Sequence, residues 1–483
     1  MCAIIHRAVV ERGPVSFGNE GGGEVAKHRR LASTLLILLR GCAYAIHLVA
    51  FVLLLSITNW QILRASRTAA ITLTSFTVLL AVFTRIYGGF RIGQQKSRPI
   101  IYQMGIAVFL TDVITYIQLQ IMNVNAANNE SLRLFGADAL LLLAAMALQL
   151  AAIIGFAYLG NHLFFKINPP QRCCVISASE KDARLICAKI RIFDKQFTIT
   201  DIADYRDPDL HDKIRRSQTV MLFHLPARVH QELIEYCYKC RKDIYFDLSI
   251  ADVLAQNAGS FLLDDVLMTA HTGTGLSLRQ RALKRALDIA FSVIGLVLAS
   301  PLMLAAAVAI RLDDGGPVLF RQDRLTRGNE VFRIYKFRTM RVEENAREYS
   351  ALRDDMRVTR PGRWMRRLRV DELPQLLNIL KGEMSAVGPR PEILSNVDKY
   401  VAELPEYSYR SRVKAGLTGY AQIAGKYNTT PREKLMMDIS YIENYSFRLD
   451  IKLMLKTLTV FFNHDSTEAF EKDPSRADDD EAV

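Results

Sequence analysis

The sequence predicts a chain of three folded parts: a membrane α-helical bundle of four spans, an α/β Rossmann-like module, and a second α/β domain bearing a re-entrant membrane helix. Three observations predict it. Apolar stretches at roughly 31–57, 69–87, 100–122 and 137–160 each approach the ~20 residues that cross a bilayer. Strand-like and helix-like segments alternate through 170–270. Further on, the apolar run Leu287–Leu312 has basic residues on both flanks and Ser300-Pro301 at its midpoint.

The bulk composition agrees with a chain that is part membrane and part soluble. Its 483 residues exceed one compact domain; 50% are hydrophobic, yet 23% are charged. A net charge of +12 calls for anionic partners: nucleic acid, a membrane surface or phosphorylated substrates. The seven cysteines show no disulfide-like spacing. Cys237 and Cys240 form a single CxxC without a second pair, a pattern that reads as two small hydrophobes side by side on a helix. The soluble parts therefore read as reduced and cytoplasmic.

Residues 1–29 are Gly-rich and polar and lack a cleavage-site pattern, so they read as a disordered cytoplasmic tail. The four spans follow within 30–165. Arg91, Lys96 and Arg98 in the second connection, and Lys166 and Arg172 after the fourth span, place both termini in the cytoplasm; Arg64 and Arg67 run against that pattern. Asp112 in the third span reads either as a functional ionisable group or as a polar contact to a neighbouring helix, the second being preferred.

In 170–270, the strands begin at Arg172, Gln196, Thr219 and Asp243, with helices after the first and third. A dinucleotide-binding version would need glycines after the first strand. Here the turn is Ser177-Ala178-Ser179-Glu180, so a regulatory or dimerisation module, and a possible homodimer, is expected instead.

The run at 287–312 is long enough to span. Arg279, Arg281, Lys284 and Arg285 precede it, however, and Arg311, Arg321 and Arg324 follow, so both flanks prefer one face. Proline at its midpoint removes a backbone donor, and a serine hydroxyl can satisfy the carbonyl thus freed. A helix broken at Ser300 and Pro301 that enters and leaves by one face accounts for these features; a Pro-kinked spanning helix is the alternative.

Arginines crowd the next segment: Arg321, Arg324, Lys336, Arg338, Arg357, Arg360, Arg363, Arg366, Arg367 and Arg369. Guanidinium groups match phosphate oxygens in pairs. The same pattern also suits a basic face on anionic headgroups. Nucleic acid is disfavoured, because the segment follows a membrane element and lacks interleaved aromatics. Asp371 and Glu372 stand together just before a predicted helix through LPQLLNILK that ends at Gly382. Alone they are an adequate helix start. The rigid Gly388-Pro389-Arg390-Pro391 loop beyond them points to phosphoryl chemistry, with a carboxylate nucleophile and charge stabilised by arginine and Mg²⁺. Gly416-Leu417-Thr418-Gly419 and Gln422 form another turn-rich element, and Asp438 and Tyr441 share one face of the helix after it.

Five strings carry a resemblance: KRALD at 284–288, the ASP of the helix break at 299–301, LFRQDRLTRGNEVFRIYKFRTM at 319–340, DELPQLLNILKGEMSAVGPRP at 371–391, and RVKAGLTGYAQIAGK at 412–426. Together they resemble the bacterial sugar transferase domain of monotopic phosphoglycosyl transferases. The layout as a whole is similar to the long polyprenyl-phosphate hexose-1-phosphate transferases. The resemblance implies an α/β monotopic catalytic domain at 279–466, followed by an acidic tail at 467–483. It implies an inner-membrane, multi-pass enzyme whose catalytic domain faces the cytoplasm. That enzyme would transfer hexose-1-phosphate from a UDP-sugar to undecaprenyl phosphate, releasing UMP, as the first step of exopolysaccharide or capsule assembly. Glucose is the first expectation and galactose the second; a non-catalytic scaffold is the alternative from another class.

Carried onto this sequence, Asp371 is the nucleophile, Glu372 helps hold Mg²⁺, and Arg390 grips donor phosphate. Lys336, Arg338, Arg360, Arg366 and Gln422 are further substrate contacts, and Ser300 and Pro301 form the re-entrant break. Tyr445 departs from the tryptophan that many relatives carry after the Ile-Glu-Asn string.

Overall fold

A computed structural model describes residues 22–124, 134, 136–271, 275–341, 358–425 and 429–460. Residues 1–21, Arg357 and the acidic 467–483 segment lie outside the described residues. The chain divides into two compact units, one reaching Asp247 and the other starting at Leu248.

The first unit begins with four helices: α1 (Gly22–Leu55), α2 (Arg67–Tyr87), α3 (Ser97–Met122) and α4 (Ala137–Ile167). The first starts at Gly22, inside the segment expected to be a tail. All four are long and apolar enough to cross a membrane. Helix α1 lies along α4, α2 along α3, and α3 also on α4. Phe51, Phe76, Leu80, Met104, Leu119 and Ile153 fill their common core, while Leu140, Leu143 and Val78 point outward. This outward apolar surface suits lipid as its solvent.

After α4 comes a four-stranded parallel sheet in the order β2-β1-β3-β4. Its strands are β1 (Gln171–Ser177), β2 (Phe197–Asp204), β3 (Thr219–Phe223) and β4 (Asp243–Phe246). Strand β1 is buried from Cys173 to Ser177, as a strand covered on both faces must be. Its neighbour β2 alternates buried and open positions, as an edge strand does. Helices α5 (Glu180–Arg191), α6 (Leu210–Arg216) and α7 (Ala227–Lys239) connect the strands. Ser179 caps α5 by accepting from the Asp182 amide. Cys237 lies in the core with Cys174 and Ile176, and burial pushes its thiol up to about 11.

The module was expected to reach residue 270, but it stops at Asp247. Helix α8 (Ile250–Asn257) belongs to the second unit, where Val253 packs with Tyr407, Leu435 and Ile439. An exposed antiparallel hairpin follows, β5 (Gly259–Leu263) with β6 (Val266–Ala270).

Helix α9 (Leu278–Asp314) corrects the expectation of a break: it is continuous through Pro301. The reason is local. Proline removes the hydrogen bond that the Val297 carbonyl would accept, and the Ser300 hydroxyl donates to that carbonyl at 2.8 Å instead. Both ends of α9 pack on the same domain. On the N-terminal side Asp288 accepts from the Ser385 hydroxyl (2.9 Å) and the Ala386 amide (2.8 Å), and Gly295 lies against Leu376. On the C-terminal side Ala306 and Ile310 are buried with Phe337, Met365 and Val370. Between them Val297 is 67% exposed and Leu298 76%.

Around α9 lie the antiparallel pair β7 (Leu319–Leu325) and β8 (Val331–Phe337), and the short helices α10 (Arg360–Arg367) and α11 (Gln375–Lys381). A short parallel pair, β9 (Ser385–Val387) with β10 (Gly416–Thr418), lies beside them. Helices α12 (Leu394–Glu403), α13 (Tyr420–Ala424), α14 (Pro431–Glu443) and α15 (Phe447–Val460) complete the unit. Lys284, expected to be a flanking surface charge, is buried instead. Its ammonium pairs with Asp450 at 2.8 Å and donates to the Val387 carbonyl and the Tyr441 hydroxyl.

Candidate active site

The site assembles where β8, the turn before α11 and the loop after β9 meet. Phe332, Ile334 and Lys336 share one face of β8 by strand alternation. The first two enter the core with Leu376 and Ile379, so the third is directed over the start of α11. Asp371 and Glu372 occupy a single 3₁₀ turn, Val370–Glu372. Arg369 enters that turn at φ 53°, a left-handed conformation that arginine rarely adopts. Helix α11 then runs to Gly382 at φ 92°. Its last carbonyls, Ile379 and Leu380, accept from the Arg285 guanidinium at 2.7 Å each.

The two carboxylates are treated very differently. Glu372 Oε1 accepts from Arg390 at 2.9 Å and lies 3.5 Å from the Lys336 ammonium. Burial works to raise its pKa, but Arg390, Lys336 and Arg369 together hold it well below the usual carboxylate range. Burial likewise depresses Lys336 despite the attraction of Glu372. The Asp371 carboxylate has no hydrogen-bond donor among the described residues, nor does it cap α11. That removes the helix-start reading for this side chain. Burial first, and the Glu372 charge second, push its pKa up to about 6, with Lys336, Arg366 and Arg390 opposing. The result is one carboxylate locked as an anchor for two cations beside a second that is half-buried and unengaged.

The loop carrying Arg390 is held at three successive carbonyls. Pro389 O accepts from the Gly416 amide, Arg390 O from Arg410, and Pro391 O from Arg324. Arg410 is buried and pairs with Asp438 at 2.9 Å. Gly388, Gly416 and Gly419 bring three backbones together: a Cβ on Gly388 would stand 2.3 Å from Lys414 O, and one on Gly419 would stand 2.2 Å from Gly388 O. These are the close approaches for which a glycine is needed.

Of the other expected contacts, Arg366 is near the pair and donates to the Thr339 hydroxyl at 2.9 Å. Gln422 stands beside Gly388 and Gly419, its buried Oε1 without a donor. Two are elsewhere. Arg338 is buried with its guanidinium against Gly316, and Arg360 opens α10 on the surface. Arg410 was missed by the sequence reading. Its signal was faint: the partner Asp438 is a lone carboxylate amid the apolar positions Leu435, Met437 and Ile439 of one helix.

The chain is similar to known proteins over this region. The family description "Bacterial sugar transferase" matches residues 279–464. A UDP-N-acetylgalactosamine-undecaprenyl-phosphate N-acetylgalactosaminephosphotransferase of Aeromonas hydrophila is 47% identical over 181 residues, 36% of this chain and 43% of that protein. A UDP-glucose:undecaprenyl-phosphate glucose-1-phosphate transferase of Caulobacter vibrioides is 43% identical over 189 residues, 38% of this chain and 71% of that protein. One of the same name from Escherichia coli K12 is 40% identical over 194 residues, 39% of this chain and 41% of that protein. The chain thus spans less than half the length of two of these relatives and most of the third. With this identity sustained across most of the Caulobacter protein, and with the family match covering the whole of the site, the chain belongs to the bacterial sugar transferase family.

Proposed function

We propose that the protein transfers hexose-1-phosphate, glucose-1-phosphate in the first instance, from a UDP-sugar to undecaprenyl phosphate and releases UMP, initiating a surface polysaccharide. The observation that carries the reading is the unequal carboxylate pair: Asp371 unengaged, Glu372 fixed by Arg390 and Lys336. An Asp371 oxygen attacks the sugar-bearing phosphorus, the bond from that phosphorus to the UMP oxygen breaks, and UMP leaves with the electron pair. A lipid phosphate oxygen then attacks the same phosphorus and the bond to Asp371 breaks, restoring the carboxylate. Arg390, held through its backbone by Arg410, is placed to neutralise the transferring group, and Arg366 lies close enough to share that charge. Gln422, with its Oε1 buried beside Gly419, would act through the loop it packs on rather than by touching substrate.

Magnesium prefers one or two carboxylates with substrate phosphates and water completing its shell. Asp371 and Glu372 are adjacent hard-oxygen donors of that kind, and no larger cluster of metal-ligating side chains occurs among the described residues. The pair therefore fits Mg²⁺, held mainly by Glu372, and the ion would supply charge neutralisation at the phosphates.

The re-entrant reading of α9 is supported by its packing. Gly295 and Met303 both touch the domain core, yet they are only about 12 Å apart along the helix axis, far short of a ~30 Å hydrocarbon layer. Bent at Pro301, where a helix hydrogen bond is missing, the exposed stretch between them could lie in one leaflet while both ends stay on the domain. This leaves α1–α4 as the four spans, with the catalytic domain on the cytoplasmic face of the inner membrane. The all-parallel order β2-β1-β3-β4 supports a Rossmann-like module, for which a regulatory or dimerisation role is the reading carried from its glycine-free turn at 177–180.

The test is Asp371→Asn, with labelled UDP-glucose supplied in the absence of lipid. Wild type should retain label on the protein with one equivalent of UMP, and the variant neither; normal turnover by the variant would sink the covalent route. Because the Aeromonas relative is named for N-acetylgalactosamine, the UMP-release screen should include UDP-galactose and UDP-N-acetylgalactosamine.

A further inference from the structure

We propose that the membrane bundle holds a binding site for a monovalent cation, a proton or sodium, centred on Asp112. Three side chains from two helices form it at 0% exposure: Asp112 and Thr115, one turn apart on α3, and Gln149 on α4. Gln149 ties the centre together, its Nε2 donating to Asp112 Oδ1 at 3.2 Å and to the His47 carbonyl at 3.0 Å. The remaining polar atoms of this centre have no partner: Asp112 Oδ2, Gln149 Oε1 and the Thr115 hydroxyl.

Two internal comparisons make this unusual. Thr111, one residue from Asp112, satisfies its hydroxyl on the Ala107 carbonyl as a helical threonine ordinarily does. Asp138, the bundle's other described carboxylate, half-buried in the first turn of α4, has both oxygens covered, by Asn59 at 3.3 Å and Gln120 at 2.9 Å. Asp138 is thereby accounted for as a structural group. Asp112 is not.

Its depth sharpens the point. Asp112 stands about 22 Å along α3 from Ser97 and about 15 Å from Met122, too deep for a short side chain to reach either interface. No arginine or lysine pairs with it among the described residues. Charged and uncompensated at that depth, a carboxylate costs several kcal/mol. Something must neutralise it. One carboxylate balances one positive charge, so a divalent ion would leave the centre as badly charged as before. The free ligands are a carboxylate, an amide carbonyl and a hydroxyl, all hard oxygens suited to sodium, and the carboxylate can itself take a proton. Besides Asp112, the buried titratable groups of the bundle among the described residues are His47, Tyr87 and Tyr116, and Tyr116 donates to the Leu134 carbonyl.

The test uses the full chain in nanodiscs, with thermal unfolding as the readout, since a ligand that binds the folded state raises the melting temperature saturably. Sodium chloride is titrated against choline chloride at constant ionic strength, and pH is varied in choline alone. If sodium is the ligand, it raises the melting temperature of wild type saturably and leaves Asp112→Asn unmoved. If the proton is the ligand, wild type gains relative to Asp112→Asn as pH falls in choline. In either case Asp112→Asn, with no buried charge to neutralise, should melt no lower than wild type in cation-free alkaline buffer. Thr115→Val should shift the midpoint of whichever response is seen severalfold, and it decides the matter if the aspartate variant does not fold. Identical responses of wild type and Asp112→Asn in both arms, or an unmoved midpoint in Thr115→Val, would overturn the proposal.

Discussion

Replacing Gly388 by alanine should slow UMP release about 100-fold, and the size of the effect follows from three distances. The new Cβ would stand 2.3 Å from the Lys414 carbonyl oxygen, 3.0 Å from the Gly416 amide nitrogen and 3.3 Å from the Ala415 carbonyl carbon. All three are backbone atoms, so no rotamer change makes room. The closest approach is about 1 Å short of an ordinary contact, and β9 must move from β10 by about that much. Arg390 lies two residues on, with its guanidinium 2.9 Å from Glu372. A 1 Å displacement carries that contact to about 3.9 Å, outside hydrogen-bond range. Losing one charge-assisted bond costs about 1.5–3 kcal/mol, which is about 10- to 150-fold in rate. Stability should fall by about 1–3 kcal/mol from the overpacking itself. The assay is the initial rate at saturating UDP-glucose, paired with a thermal melt. Gly295→Ala is the control, because its Cβ would meet only the flexible Leu376 side chain at 3.1 Å. A wild-type rate in Gly388→Ala, or an equal loss in Gly295→Ala at unchanged stability, would refute the link between this backbone contact and Arg390.

Glu372→Gln keeps the volume but leaves Arg390 and Lys336 facing each other without their shared anion. Turnover should drop about 100- to 1000-fold, and the magnesium needed for half-maximal rate should rise; an unchanged magnesium dependence would count against Glu372 as its ligand. Lys284→Met leaves the Asp450 carboxylate in the core with only the Tyr441 hydroxyl beside it. Chemical unfolding should show a loss of about 3–5 kcal/mol, with much of it recovered in Lys284→Met/Asp450→Leu, because an unpaired buried charge costs more than an absent pair.

The elements that the sequence revealed are those whose cause is local. Strand and helix alternation through 171–246 needed only the apolar run of β1, the cap at Ser179 and the amphipathic α7. The end of α11 at Gly382 was equally plain, since a left-handed residue must follow a helix that turns sharply. The boundary at Asp247 was hidden because α8 is assigned by Val253 meeting Tyr407 and Ile439, far along the chain. Lys284 was misjudged for the same reason. A lysine ahead of an apolar run looks like an interfacial anchor, and only Asp450, 166 positions away, makes it a core residue.

The candidate site divides along this line too. Asp371 and Glu372 were visible as a pair, but neighbours in sequence share a turn and differ only in what faces them. The contrast between them arises from Lys336 on β8 and Arg390 after β9, which converge on Glu372 and leave Asp371 bare. Pro301 shows the converse error, a local rule applied too strongly. Proline removes one hydrogen bond, and Ser300 supplies a donor to the same Val297 carbonyl, so α9 keeps its helix where a break was expected. What ties α9 to its domain is Asp288 and Gly295 at one end and Ala306 and Ile310 at the other, all packed on a single folded unit.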